Sequence, residues 1–308
     1  VLNVTIQSNS GVATGTISDG ITTLPFLARQ PVTDTAPYLA NFTMAMLIDF
    51  TQEGDESVPQ GHSIGGFKVT SRGVAGVLKL ADNTTVPFSG PLEKNGCLTL
   101  YRTLYKNTGS VVGVLNINAG AGSTLSASEV TWLKKQQPQN SRDRNYKAGF
   151  GPLDLSVIGG PYTIPAAGSL AMGLTANAAG NAMLTFAEGG APDPATKLDV
   201  SALEVKEGSP KAAVIVSANP GSVTLTVTPG KGTAFAPGTT GSFKGGFKLS
   251  DPSGNRTASF CGMIVDDGSG PQGYGFFQLM KLPEAGPPAT TLRTSPILSG
   301  NLLLQTLN

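Results

Sequence analysis

Charge is what this sequence has least of. Asp, Glu, Lys and Arg make up 13% of the 308 residues, against about 25% in ordinary globular domains. The formal net charge is +1, so there is no strong field to draw in nucleic acid or an anionic membrane surface. Basic residues gather only at Lys134-Lys135 and between Arg142 and Lys147, without the broad basic face and stacking aromatics of a nucleic-acid groove. Histidine occurs once, as His62 in Gln60-Gly-His-Ser-Ile-Gly65. A single histidine excludes paired-histidine metal motifs such as H-E-x-x-H and obliges any Ser–His–Asp site to converge on that one turn; the reading adopted is a solvated turn. No run of eighteen apolar residues occurs, so no helical membrane span is expected. No G-x-x-x-x-G-K-[ST] loop occurs either, and Gly65-Gly66, Gly159-Gly160 and Gly245-Gly246 read as bulges or close strand packing. Cysteine is scarce: Cys97 and Cys261 are too few for a disulfide framework or a Cys-rich metal site, and two buried thiols and one bridge between distant segments both stay open.

What the chain does have is glycine, 40 residues, and proline, 22. With abundant Val, Thr, Leu and Ser this predicts short strands joined by tight turns. Val1–Ser8 alternates, with Leu2, Val4 and Ile6 on one side, the period-two signature of a half-buried strand. Val12–Ser18 and Ile21–Ala28 follow as strands about a turn at Asp19-Gly20, read as type I′. Gly73–Phe88 then repeats Gly11–Phe26: a shift of 62 positions superposes Gly-Val-Ala, Thr-Thr and the Pro-Phe pairs Pro25-Phe26 and Pro87-Phe88. A looser third copy runs from Val223 to Val265, where Gly241–Leu249 and Phe260-Cys-Gly262 echo Gly76–Leu80 and Phe88-Ser-Gly90. Tyr38–Phe50 reads as one long apolar strand, and the segment holding Trp132, Thr124–Leu133, as a strand rather than a helix. Cys97–Tyr105 is a strand on which Tyr101 and Tyr105 face the same side, and Leu170–Ala176 is another.

The most polar stretch, Gln136–Lys147, reads as a linker. The expected fold is therefore all-β, with two antiparallel β-sandwich or β-barrel domains, residues 1–140 and 148–308, built from repeated meanders. Roughly eighteen strands are expected. The chain starts at Val1 without Met or a positively charged leader, which reads as a processed or fragmentary chain.

The order Pro87-Phe-Ser-Gly-Pro-Leu92, Leu98–Tyr105, Gly109–Leu115, Val130–Lys134, and later Phe260-Cys-Gly-Met-Ile264 and Tyr274-Gly-Phe-Phe277 resembles repeat modules of large secreted β-rich surface proteins of verrucomicrobia and planctomycetes. The resemblance runs from about Val4 to Phe277 and implies a secreted, multi-strand module at the cell surface or outside the cell, with no established reaction. Cys261 and Cys97 depart from its pattern, which weighs slightly toward a bridge.

Chemistry has few footholds. Asp49, Glu53 and Asp55 lie in one acidic loop, where hard oxygen ligands could hold Ca²⁺, although their spacing matches no EF-hand and a solvated loop is the plainer reading. Paired carboxylates for a glycoside hydrolase rank third among functions. Tyr101, Tyr105 and Trp132 are the aromatics that could stack on sugars. The leading expectation is a non-enzymatic, extracellular structural protein that polymerises with copies of itself by terminal strand addition, with Leu2, Val4 and Ile6 at one end and Leu302 and Leu304 at the other. A carbohydrate-binding module or adhesin, with glycans as partners, is the alternative.

Overall fold

The computed structural model describes residues 2–7, 11–120, 124–206, 211–230, 239–286 and 289–307. The first three strands, β1 (Leu2–Gln7), β2 (Val12–Ser18) and β3 (Thr23–Arg29), form a small antiparallel sheet. The β2–β3 turn sits where Asp-Gly predicts it: Asp19 Oδ1 accepts from the amides of Ile21 and Thr22 at 2.9 and 2.8 Å. Only Gly20 has positive φ there, so the turn is not type I′, which needs positive φ at both central residues.

Eight strands follow: β4 (Asn41–Ile48), β5 (Ser63–Thr70), β6 (Gly73–Lys79), β7 (Thr85–Gly90), β8 (Cys97–Leu104), β9 (Gly109–Ile117), β10 (Leu125–Lys134) and β11 (Phe150–Pro161). Their order in the sheet is β7-β6-β5-β4-β11-β10-β9-β8. This is an up-and-down meander bent into a ring, with β11 meeting β4 and a seam left between β7 and β8. Pro87 explains the seam. Proline has no N–H to give a neighbour, so it suits an edge, and the β7 carbonyl there accepts instead from Arg102 Nε of β8 at 2.9 Å.

The last eight, β12 (Ala182–Glu188), β13 (Val200–Val205), β14 (Lys211–Ile215), β15 (Thr224–Thr228), β16 (Ser242–Asp251), β17 (Gly254–Asp266), β18 (Pro271–Met280) and β19 (Ile297–Thr306), follow the same circuit and close it: β12 pairs with β19. Every named strand pairing is antiparallel, and the fold is all-β. Leu170–Ala176, read as a strand, instead holds a short 3-10 turn at Ala171–Gly173. There Met172 and Gly173 have positive φ, which breaks an extended run.

The repeat in the sequence is a repeat of register. Shifted by 62 positions, the pairing of Leu2 with Ile17 becomes that of Ile64 with Lys79, which is the one β5 and β6 make. Its most physical expression is a glycine set directly across from a phenylalanine: Gly15 faces Phe26, Gly76 faces Phe88, and Gly245 faces Phe260. A methyl group on any of these glycines would meet the facing ring at under 3.0 Å. The ring lies on bare backbone, which is how an aromatic compensates for a glycine in a strand. The third copy thus occupies β16 and β17, with Gly245 in the place of Gly76.

The two large sheets share an interface. Along β17, Phe260 and Ile264 point into the closed barrel, while Met263 and Val265 point out and join the core of the first sheet, as do Phe276 of β18 and Leu298 of β19. Strand β4 receives them and is buried along nearly its whole length. Its run from Phe42 to Ile48, apolar but for the buried Thr43, is the signature of a strand covered on both faces. The changeover between the sheets falls in residues 162–181, after Pro161, rather than at 140–148. Gln136–Lys147 belongs to the β10–β11 connection, and its polar residues are employed there in ways described next.

Candidate functional site

At one end of the first sheet, a charged group is buried against its expected nature. Lys134, at the end of β10, is only 1% exposed. Its ammonium lies 2.8 Å from Asp143 and 3.8 Å from Asp82, donates to the carbonyl of Asn145, and sits 4.5 Å from the Tyr105 ring centroid. Tyr105 donates its hydroxyl to Asp82 Oδ2 at 2.5 Å and accepts from Trp132 Nε1 at 3.0 Å. Burial and the Asp82 charge together push the Tyr105 phenol far above its usual range. Asn145 closes the cluster by donating to the Asp82 carbonyl at 2.9 Å.

Next to this cluster the β10–β11 connection crosses to the barrel. Arg144 donates to the Ser295 carbonyl from Nε at 2.8 Å and Nη2 at 2.5 Å, and to the Leu292 carbonyl from Nη2 at 2.8 Å. Its own carbonyl accepts from Ile297, and the Tyr146 hydroxyl accepts from Ser299 N at 2.7 Å. Burial raises the Tyr146 pKa well above the ordinary range. A cleft of about 720 Å³ opens along this crossing. Arg142, Arg144 and Lys147 of the β10–β11 connection line it together with Lys281 and Arg293 of the β18–β19 connection, and Tyr146 and Leu298 also border it. Lys281 is neutralised by Glu56 at 3.1 Å and Glu284 at 2.9 Å, which raise its pKa. Among the described residues, Arg142, Arg144, Lys147 and Arg293 form no ion pair with a carboxylate.

The residues singled out in sequence fare unevenly. Trp132 is 1% exposed and Tyr105 is committed to the buried cluster, so neither forms a sugar platform; Tyr101 alone, 56% exposed, faces solvent. Tyr101 and Tyr105 do not share a face because β8 ends at Leu104, and Tyr105, Lys106 and Asn107 all take positive φ. Cys97 and Cys261 are separate thiols, not a bridge. Cys97 donates to Asn116 Oδ1 at 3.2 Å, and burial raises the Cys261 pKa.

In the acidic loop, Asp49 accepts from the hydroxyl and then the amide of Thr51, and Asp55 from the hydroxyl and then the amide of Ser57, bonds that hold both carboxyls below their usual pKa. Among the described residues no three His, Cys, Asp or Glu side chains gather into a metal site, so Asp49, Glu53 and Asp55 do not converge as Ca²⁺ ligands. Leu302 and Leu304 are wholly buried in the barrel core, on a strand paired along both edges; β19 is not free to be donated. Strand β1 differs. It pairs only with β2, and Leu2 and Val4 are 61% and 49% exposed. The side chain of Ile6 lies outside the described residues.

Sequence reasoning missed one pattern and misplaced one residue. Gly61-His-Ser-Ile-Gly65 spells G-x-S-x-G, the letters of a nucleophile elbow. The elbow needs a strand, a sharp turn and then a helix, whereas Ser63 opens strand β5, is 1% exposed, and its hydroxyl accepts from Ala81 N at 2.9 Å. His62 is not a solvated turn residue. Its ring packs edge-on to Tyr274 with centroids 5.8 Å apart, and Nδ1 is sealed from solvent with no partner among the described residues. Burial pushes its pKa down to about 4. No helix among the described residues is long and apolar enough to cross a membrane. Compared with known proteins, the chain matches no family model, no curated protein and no solved structure.

Proposed function

We propose that this protein is a non-enzymatic structural protein of the cell surface or extracellular space that associates with copies of itself through the sheet β1–β3. The observation that carries this reading is the contrast between that sheet and its repeat. Strands β5–β7 sit inside a ring, with Ile64 and Val86 buried at 0% and 3%. Their counterparts in β1 and β3, Leu2 and Leu24, are 61% and 62% exposed, and Ile17 between them is 54% exposed. Pairing sets Leu2, Ile17 and Leu24 in one row across the sheet. An apolar row on three strands that no other element covers is marginal in water.

A second copy is the occupant that the edges favour. Among the described residues four strands have an unpaired edge. Those of β3 and β7 carry Pro25 and Pro87, and β8 lies against β7. Only β1 is open, and it has neither proline nor charge to blunt it. The strand that meets it in a homo-assembly is therefore another β1. Two copies then make a six-stranded sheet curled over its pooled apolar rows, an isologous pairing that closes on itself. Head-to-tail filament growth needs a second open edge, and β19 is not one.

Light scattering during size exclusion tests this on the full chain. A dimer in the unaltered protein that becomes a monomer in Leu2→Lys/Val4→Lys is the expected result. A monomer at every concentration, or a dimer indifferent to those changes, sinks the reading.

A further inference from the structure

The cleft beside the β10–β11 connection has a composition that self-association leaves unused. Of its cations only Lys281 is paired with carboxylates: Arg144 and Lys147 donate to backbone carbonyls, and Arg142 and Arg293 have no partner among the described residues and are exposed. Its two lining acids are both engaged, Asp143 by Lys134 and Glu56 by Lys281. The cleft is positive inside a protein whose net charge is only +1. Most of its lining is nevertheless apolar, and its volume of about 720 Å³ is that of a small-ligand site rather than a single-ion site.

We propose that this cleft binds an anionic carbohydrate, a short stretch of a polymer whose sugars carry carboxylates. Two features select that chemistry. Cations with no carboxylate partner line the cleft from two separate connections, Arg142 and Lys147 from β10–β11 and Arg293 from β18–β19, so they suit a ligand with anionic groups spaced along its length rather than one phosphate. Guanidinium forks match carboxylates in two-point contact, while Tyr146 and Leu298, both largely buried, contribute to the apolar part of the lining. Arg144 is a positioning residue: it fixes the β10–β11 connection by tying it to Ser295 and Leu292.

The test is calorimetric titration of the full chain with oligogalacturonate, with a neutral maltooligosaccharide, inorganic phosphate and single-stranded DNA of matched charge as controls. Binding of the galacturonate alone, weakened at least about tenfold by Arg142→Ala/Arg293→Ala, is the expected result. Both positions are exposed and unpaired, so the fold survives the change, and an unaltered circular dichroism spectrum verifies it. No galacturonate binding, binding that the double variant leaves intact, or equal binding of DNA or phosphate overturns the proposal. The dimer measurement above does not depend on this cleft, so the two readings fail separately.

Discussion

At the scale of single residues, burial decides what a charge is worth. Lys134 and Lys281 each face two carboxylates, yet the first is 1% exposed and the second reaches solvent. Lys134→Met strands Asp82 and Asp143 and is expected to cost about 3–5 kcal/mol. Lys281→Met is expected to cost about 1 kcal/mol or less; urea midpoints of the two variants check the contrast. His62 gives the pH dependence. Its folded-state pKa is about 4, below the roughly 6.5 of a free imidazole, so the unfolded chain takes up the proton first as pH falls. The contribution is complete above about pH 6.5, shrinks as pH drops through the window, and is gone near pH 4, a loss on the order of 3 kcal/mol. In His62→Gln the corresponding part of the slope between those pH values disappears; an unchanged slope assigns the effect elsewhere.

At the scale of elements, the facing Gly–Phe pairs make a sharper claim than strand propensity does. Gly245→Val drives a branched side chain into the Thr224 carbonyl and the Phe260 ring and is expected to destabilise by about 1–3 kcal/mol or more. In Gly245→Ala the cost should fall when Phe260→Leu is added, a non-additivity that a double-mutant cycle reads directly. These pairs also explain what was legible in the sequence. Alternation and turn residues place nearly every strand, and the shift from Gly11 to Gly73 carries the β1–β2 register onto β5–β6 because backbone pairing repeats with the glycines. The misreadings share a cause. Gln136–Lys147 looks like an exposed loop or linker because its residues are polar, but many of those polar groups bond to one another, to the buried Lys134 and to backbone across the interface. The same blindness hid Tyr105, whose face is set by three positive φ angles after Leu104, and His62, whose burial depends on Tyr274, more than two hundred residues away. Local pattern reports a strand's own faces; it does not report what a distant strand lays on them.

At the scale of the whole molecule, the two eight-stranded bodies are joined by apolar contact and by polar bonds, among them those of Arg144, Tyr146, Gln60 and His62. Met263, Val265, Phe276 and Leu298 of the barrel lie within the core of the first sheet, and Arg144 spans the crossing to Ser295 and Leu292. A single cooperative unfolding transition is therefore expected. Arg144→Ala leaves two part-buried carbonyls without this donor, and differential scanning calorimetry should show the transition shifted down; separation into two resolved transitions would locate the coupling in the Arg144 bonds rather than in the apolar contact. The closed circuit of the barrel also bears on the order of manufacture. Strand β12 has one neighbour at once in β13, but its other neighbour is β19, which leaves the ribosome only after all the strands between them. The first sheet, by contrast, is complete in sequence at Pro161. During synthesis it stands finished while β17 and β18 emerge, so the outer faces of the half-made barrel meet an existing surface on β4 before the barrel can shut, and the earlier body serves as the mould on which the later one sets.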